Sequence, residues 1–365
     1  MLCAAFIRST NALSTSAKCH ARRGLAARPR RRAIVVKGHP RNAFAGSYDF
    51  DALVASNPRL SAHVIAAADA IGRRDTVNWG DPRAVLELNR ALLARDYGVG
   101  DWSLPPRSLC PPVPSRADYV HHVADVLATS GGLAAPPADV VGLDVGTGAS
   151  LIYPLLGHGA YGWRFVASDV DAASCAHAKG LAERNGLADR VRVRRQPDPA
   201  ACFERVLDGP VDFTMCNPPF YESRDAFEAE NARKRRQLAK ASKKRNPTYR
   251  AAPDNNDSGS DNFGGGDSEL WTPGGERRFV SDMIAESARF RDSCLWFSSL
   301  VSRQKLLPVL EGLSSLMGLL TEAIPPETFA SEASTSDTST STCWRDACTS
   351  SETHRQRREK PAGCS

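Results

Sequence analysis

No apolar run in this 365-residue chain approaches the ~20 residues that a membrane-crossing helix needs, so a helical bilayer protein is excluded. Acidic residues are missing altogether before Asp49, in a stretch that carries Arg22, Arg23, Arg28, Arg30, Arg31, Arg32 and Lys37. That absence makes the N-terminus a basic arm. The ten cysteines include no C-x-x-C pair and no Cys/His cluster at zinc spacing, which argues against a metal site and for reduced thiols. The formal net charge of +6 is small for this length, so total charge does not point to a polyanionic partner. Its distribution says more.

Residues 1–37 are rich in Ala, Ser and Arg, the composition of an organelle transit peptide. The run Arg28-Pro29-Arg30-Arg31-Arg32 reads equally as a nuclear signal or an RNA-contacting arm. The nucleus is the favoured compartment and a mitochondrion or plastid the alternative. Residues 38–130 repeat apolar side chains at helical steps and form a small helical module. Within it, Asp81-Pro82 marks a helix start, and Asp118–Thr129 forms a later helix. Residues 131–313 alternate strand and helix signals: strands at 140–145, 164–168, 191–195, 211–216 and 294–301, with helices at 149–156, 172–185 and 276–289 between them. This is an α/β pattern that predicts a doubly wound, mostly parallel sheet. A polar insertion at 223–275 and a Ser/Thr-rich tail at 314–365 are expected to stay unfolded.

Two motifs carry chemistry. Leu143-Asp144-Val145-Gly146-Thr147-Gly148-Ala149-Ser150 ends a strand and opens a helix, where glycines let the backbone turn sharply beside a ligand. The next strand ends in Asp169, placed to accept hydrogen bonds from ribose hydroxyls. A third glycine for a pyrophosphate is missing, so a nucleoside cofactor without phosphates fits best. The second motif is Cys216-Asn217-Pro218-Pro219-Phe220, at the end of the fourth strand. An adenine amine is a poor nucleophile because its lone pair is conjugated with the ring. The Asn217 side-chain oxygen and the Pro218 carbonyl can accept its N–H groups, Pro219 helps to fix the loop, and Phe220 can stack on a flipped base.

With these motifs in register, the chain resembles the class I (Rossmann-like) amino-methyltransferases. Within them it is similar to the adenine-N6 RNA methyltransferases that include the bacterial ribosomal enzyme RlmF and the methyltransferase-like 16 proteins. The carrying segments are His39-Pro40-Arg41-Asn42, Val113 to Tyr119, Asp144 to Gly157 and Cys216 to Phe220. The resemblance implies S-adenosyl-L-methionine as cofactor and structured RNA as partner, either U6 snRNA-like or large-subunit rRNA-like. It also implies that Arg116 contacts the methionine carboxylate, that Gly146, Gly148 and Ser150 line the cofactor pocket, that Asp169 holds the ribose, and that Asn217 and Phe220 handle the target adenine. Asp169 stands where the eukaryotic branch has glutamate, and Ala200 where it has a hydroxyl residue, so one cofactor contact is missing there. Phosphate contacts are expected from Arg41, Arg233, Arg235, Arg236, Lys243 and Lys244. The family closes its sheet with an aromatic hairpin that the tail does not resemble, which keeps a non-catalytic RNA-binding protein as one alternative. An enzyme acting on protein glutamine or DNA adenine is another. Oligomeric state stays open.

Overall fold

The computed structural model describes residues 38–44, 48–230 and 270–317 apart from 67, 70, 71, 74, 107 and 303, together with 232, 233, 236 and the backbone strands at 3–9, 319–324 and 340–345. Helix α1 (Phe50–Ser56) opens at Asp49, whose carboxylate accepts the Ala52 N–H. Helix α2 (Pro82–Tyr97) opens at the predicted cap, Asp81, which accepts the Arg83 N–H. Between them the sequence predicts only helix, whereas Val64–Ile65 pairs with Thr76–Val77 and Ala68–Asp69 with Gly72–Arg73. The β-branched residues Val64, Ile65, Thr76 and Val77 favour that extended form. Helix α3 (Val113–Ser130) starts at Val113 rather than Asp118, because Pro114 falls in the first turn, where no intrahelical partner for an N–H is lost.

Five parallel strands follow: β2 (Val141–Val145), β3 (Arg164–Asp169), β4 (Val191–Arg195), β5 (Val211–Cys216) and β6 (Cys294–Val301), in the spatial order β6-β5-β2-β3-β4. Helices α4 (Ile152–Tyr161), α5 (Ala172–Arg184), α6 (Gly275–Ser287) and α7 (Leu307–Leu316) accompany them. Alternate strand residues enter two apolar layers, as doubly wound sheets require. Phe213, Met215, Trp296 and Leu300 pack with Leu92, Val120, Leu156 and Trp163, while Cys216, Phe297 and Val301 pack with Met283, Ile284 and Leu310. The first layer runs without a break from α1 and α2 to the sheet. The helical segment at 38–130 therefore shares the core of the sheet domain.

Antiparallel backbone strands extend the β6 edge. The hairpin β7 (Leu319–Ile324) and β8 (Thr340–Arg345) pairs β8 with β6, and β1 (Cys3–Ser9) pairs with β7. This corrects the reading of 314 onward as wholly unfolded. Short apolar or β-branched runs there satisfy the open hydrogen-bonding edge of β6. Residues 346–365 and 10–37 lie outside the described residues. The insertion also begins and ends in structure: 224–230 is helical, and Leu270 and Thr272 bond to Tyr221.

Candidate active site

Strand register sets the site. Val145 lies level with Ser168 on one side and Cys216 on the other, so Gly146, Asp169 and Asn217 leave the sheet side by side, at the switch point between β2 and β5. Gly146 and Gly148 have φ of 72° and 60°, left-handed values that glycine adopts without strain. The Gly146 and Thr147 N–H groups both donate to the Ser168 carbonyl at 2.9 Å, tying the turn to β3. Leu151 adopts φ 53° as the cap of α4, so the helix begins at Ile152 and the stretch from Gly146 stays an open loop rather than the predicted helix from Ala149. Trp102 Nε1 donates to the Ser150 carbonyl at 2.9 Å and holds the loop from the helical segment.

The Asp169 carboxylate accepts the Gly148 N–H at 2.9 Å and the Asp171 N–H at 2.9 Å. Burial outweighs these bonds and raises its pKa. Asp144, at the end of β2, is wholly buried, and its pKa is pushed up to about 7 by that burial, with the charge of Asp169 adding to it. Thr147 Oγ1 lies near enough to moderate the shift but outside hydrogen-bond geometry. Both Asp144 oxygens and the Tyr153 hydroxyl lack a hydrogen-bond partner among the described residues, and Arg116 is buried nearby on α3. Gly146 is exposed, with open space where a Cβ would stand. Unsatisfied polar groups, a glycine turn without side chains and a carboxylate at the next strand end fit a nucleoside cofactor carrying an amino-acid tail.

The second half of the site follows β5. Pro218 is buried, while Asn217, Pro219 and Phe220 are half-buried. Asn217 Oδ1 is buried without a hydrogen-bond partner among the described residues. A buried network props the strand from behind: Tyr119 on α3 shares a 2.5 Å hydrogen bond with Ser298, whose hydroxyl also bonds the Thr214 carbonyl at 2.6 Å. Tyr119 belongs to a motif quoted above, but nothing in sequence pairs it with Ser298. Glu286 on α6 was equally invisible. Its carboxylate accepts the N–H groups of Cys202, Phe203 and Glu204 at 2.6, 3.1 and 2.8 Å, fixing the segment after β4. Ala200, beside that segment, is exposed and offers no hydroxyl.

The His39-Pro40-Arg41-Asn42 motif docks on α3. The His39 N–H and Asn42 Nδ2 both donate to Asp118, at 2.8 and 2.6 Å. Arg41 pairs with Asp125 at 2.7 Å, donates to the Tyr161 hydroxyl at 2.9 Å and donates to the His121 carbonyl at 3.0 Å. Its guanidinium is thus engaged within the fold, with 38% of the side chain still exposed. His39, His122 and Asp125 bring potential ligand atoms within 4.8 Å of one another. However, His39 Nδ1 accepts the Arg41 N–H at 3.1 Å, which leaves the ring proton on Nε2 to donate to Asp125 at 2.8 Å. A metal-bound imidazole needs the reverse arrangement. The cluster clamps the N-terminal motif to α3, and neighbouring His121, buried beside His39 and Arg41, is pushed down to about 3 and stays neutral. Arg233 is exposed and pairs with Glu230 at 2.9 Å, and Arg236 is exposed. Arg235, Lys243 and Lys244 lie outside the described residues.

A family model described as RNA methyltransferase matches residues 32–321. Ribosomal RNA large subunit methyltransferase F of Cronobacter sakazakii is 46% identical over 275 residues, covering 74% of this chain and 83% of that protein. The protein of the same name from Photobacterium profundum is 44% identical over 279 residues, covering 74% and 82%. Among solved structures, the hMettl16 catalytic domain in complex with MAT2A 3′UTR hairpin 1 aligns with a TM-score of 0.59 at 29% identity, covering 82% of this chain and 97% of that one. The N-terminal domain of human METTL16 in complex with SAH aligns with a TM-score of 0.57 at 27% identity, covering 84% and 98%.

Proposed function

Because this chain belongs to the RNA methyltransferase family of RlmF and METTL16, a family that uses S-adenosylmethionine, we propose that it methylates the exocyclic amine of an adenine in structured RNA. The observation that carries this reading is Asn217 Oδ1, a buried acceptor without a partner among the described residues, at the strand end beside the glycine turn. Asn217 Oδ1 and the Pro218 carbonyl accept the amine's two N–H groups, which draws the nitrogen lone pair out of conjugation and orients it. Phe220 stacks on the base once it has left its helix. Asp169 holds the cofactor's ribose hydroxyls and Arg116 its carboxylate, while Gly146, Gly148 and Ser150 line the channel between them. When bound, S-adenosylmethionine supplies an electrophilic methyl on a good leaving group, so these residues contribute positioning rather than strong acid or base chemistry.

Large-subunit ribosomal RNA is the favoured substrate over a U6-like RNA, since the ribosomal relatives are 44–46% identical and the METTL16 structures 24–29%. Arg233, Arg235, Arg236, Lys243 and Lys244 follow Asn217 closely in the chain and supply phosphate contacts. The nuclear reading of Arg28–Arg32 belongs to the same proposal, and imaging a tagged chain tests it; accumulation in a mitochondrion or plastid overturns it. For the activity, the chain is incubated with methyl-labelled S-adenosylmethionine and total RNA, which is then digested to nucleosides and separated. Label is expected in N6-methyladenosine from ribosomal RNA. Label in another nucleoside, on protein glutamine or in DNA refutes the assignment. Cofactor binding without any transfer marks the chain as a non-catalytic RNA binder.

A further inference from the structure

Besides Asn217 Oδ1, a second buried polar atom near the catalytic loop has no hydrogen-bond partner among the described residues: Nε1 of Trp271. The two are opposite in sense. An amide oxygen only accepts and an indole N–H only donates. They sit on segments bound to each other. Tyr221, four residues beyond Asn217, pairs with Trp271 in a parallel bridge. Its N–H donates to the Leu270 carbonyl at 3.1 Å, and its carbonyl accepts the Thr272 N–H at 3.0 Å. The far end is fixed as well, because α6 begins at Gly275 and the buried carboxylate of Glu276 accepts the Ser302 N–H and, at 2.5 Å, its hydroxyl. The indole therefore stands on an anchored segment flanking the catalytic loop. A buried donor in such a place forfeits its hydration unless a ligand supplies an acceptor.

An acceptor on one of these joined segments and a donor on the other make up the complement of an amino base. On the Watson–Crick edge of adenine the amine N–H stands next to N1, a ring nitrogen that accepts. Guanine and uracil present a carbonyl and a ring N–H instead, which would set oxygen against the Asn217 oxygen and hydrogen against the indole hydrogen. Resting on the adenine reading above, we propose that Trp271 Nε1 donates to N1 of the target base, which makes Trp271 a specificity-determining residue that separates amino from keto bases. Cytosine shares the edge pattern, so its exclusion falls to ring size and to stacking on Phe220.

The test uses a hairpin RNA containing the mapped target position as adenosine, 1-deazaadenosine or 7-deazaadenosine, with the full-length chain and its Trp271→Phe variant. For the unaltered chain, 1-deaza substitution is expected to lower kcat/KM about 10-fold, the worth of one neutral hydrogen bond. Trp271→Phe should lose about as much on adenosine and lose nothing further on the 1-deaza substrate. The 7-deaza substrate should behave like adenosine with both proteins. Calorimetry with S-adenosylmethionine should give equal affinities, which shows that the variant is folded. If the variant does not fold, turnover of the 1-deaza substrate by the unaltered chain at the adenosine rate overturns the inference. An undiminished 1-deaza loss in Trp271→Phe also overturns it, as does dependence on N7 instead of N1. Absence of N6-methyladenosine with the unaltered chain strikes the adenine reading itself, whereas these outcomes strike only the role of Trp271.

Discussion

Replacing Asp144 by Asn should flatten the dependence of stability on pH. Its carboxyl is fully buried at the end of β2, and burial pushes its pKa up to about 7. The unfolded chain releases the same proton at the ordinary value of about 3.9. Between those limits the folded state binds more protons than the unfolded state, so the free energy of unfolding falls as pH rises. The stability linked to protonated Asp144 is complete below the unfolded value and is lost progressively up to the folded one. Roughly three pH units at ~1.4 kcal/mol each set the loss at about 4 kcal/mol at most. Asn keeps the shape without titrating, although its buried amide hydrogens need partners and cost about 1–3 kcal/mol at every pH. The diagnostic is therefore the slope and not the absolute stability. Urea unfolding in steps from about pH 5 to about pH 8 should show the unaltered chain weakening while Asp144→Asn changes much less. Asp169, whose pKa is also raised, contributes a slope of the same sign in both proteins. Parallel curves would refute the reasoning, because they would mean that Asp144 already ionises at an ordinary pH in the folded chain.

Asn217→Ala should abolish methyl transfer while cofactor affinity stays within a few-fold, checked by single-turnover kinetics beside calorimetry. Asp169→Ala should weaken S-adenosylmethionine binding by about 1–3 kcal/mol, because ribose hydroxyls would keep their desolvation cost without an acceptor; unchanged affinity removes Asp169 from the pocket. Glu286→Gln faces three backbone donors with a neutral side chain that has one acceptor oxygen, and should cost about 2–4 kcal/mol, read as a lower urea midpoint at constant m. Neutralising Arg235, Arg236, Lys243 and Lys244 together should weaken binding to structured RNAs alike and flatten the salt dependence, with selectivity intact. Filter binding across a salt series checks this, and an unchanged slope shows that the insertion makes no phosphate contacts.

Local signals were legible in the sequence and long-range pairings were not. The Asp81 cap, the glycine turn and all five parallel strands follow from patterns a few residues wide, and each lies within a residue or two of its predicted place. Arg41 shows the limit. In sequence it belongs to a basic arm, but Asp125 and Tyr161, far away along the chain, engage its guanidinium. Glu286 gave no signal either, since its partners lie more than eighty residues earlier and are backbone N–H groups, which any residue type carries. The tail misled for another reason. Ser/Thr-rich composition argues against a packed core, yet a strand at a sheet edge needs only backbone hydrogen bonds, and β8 obtains them from β6 and β7.

Most of the unpaired buried polar atoms among the described residues lie along the crevice, and His121 Nε2, beside the N-terminal clamp, is an exception. The clamps that set the fold's geometry are saturated: Asp118 takes donors from His39 and Asn42, Glu286 takes three, and the Tyr119–Ser298–Thr214 chain closes behind β5. The unpaired atoms of Asp144, Tyr153, Asn217 and Trp271 gather instead along the crevice and its flanking loop. Each such group costs about 1–3 kcal/mol when buried, so stability is given up along the crevice. A ligand that satisfies those atoms recovers part of that cost as binding energy, and because it binds only the folded chain it shifts the folding equilibrium by RT ln(1 + [L]/Kd). Recognition here thus depends on rigidity elsewhere. Without the saturated clamps, the unsatisfied atoms would find partners by local rearrangement, and the crevice would lose the fixed pattern of donors and acceptors by which it reads a base.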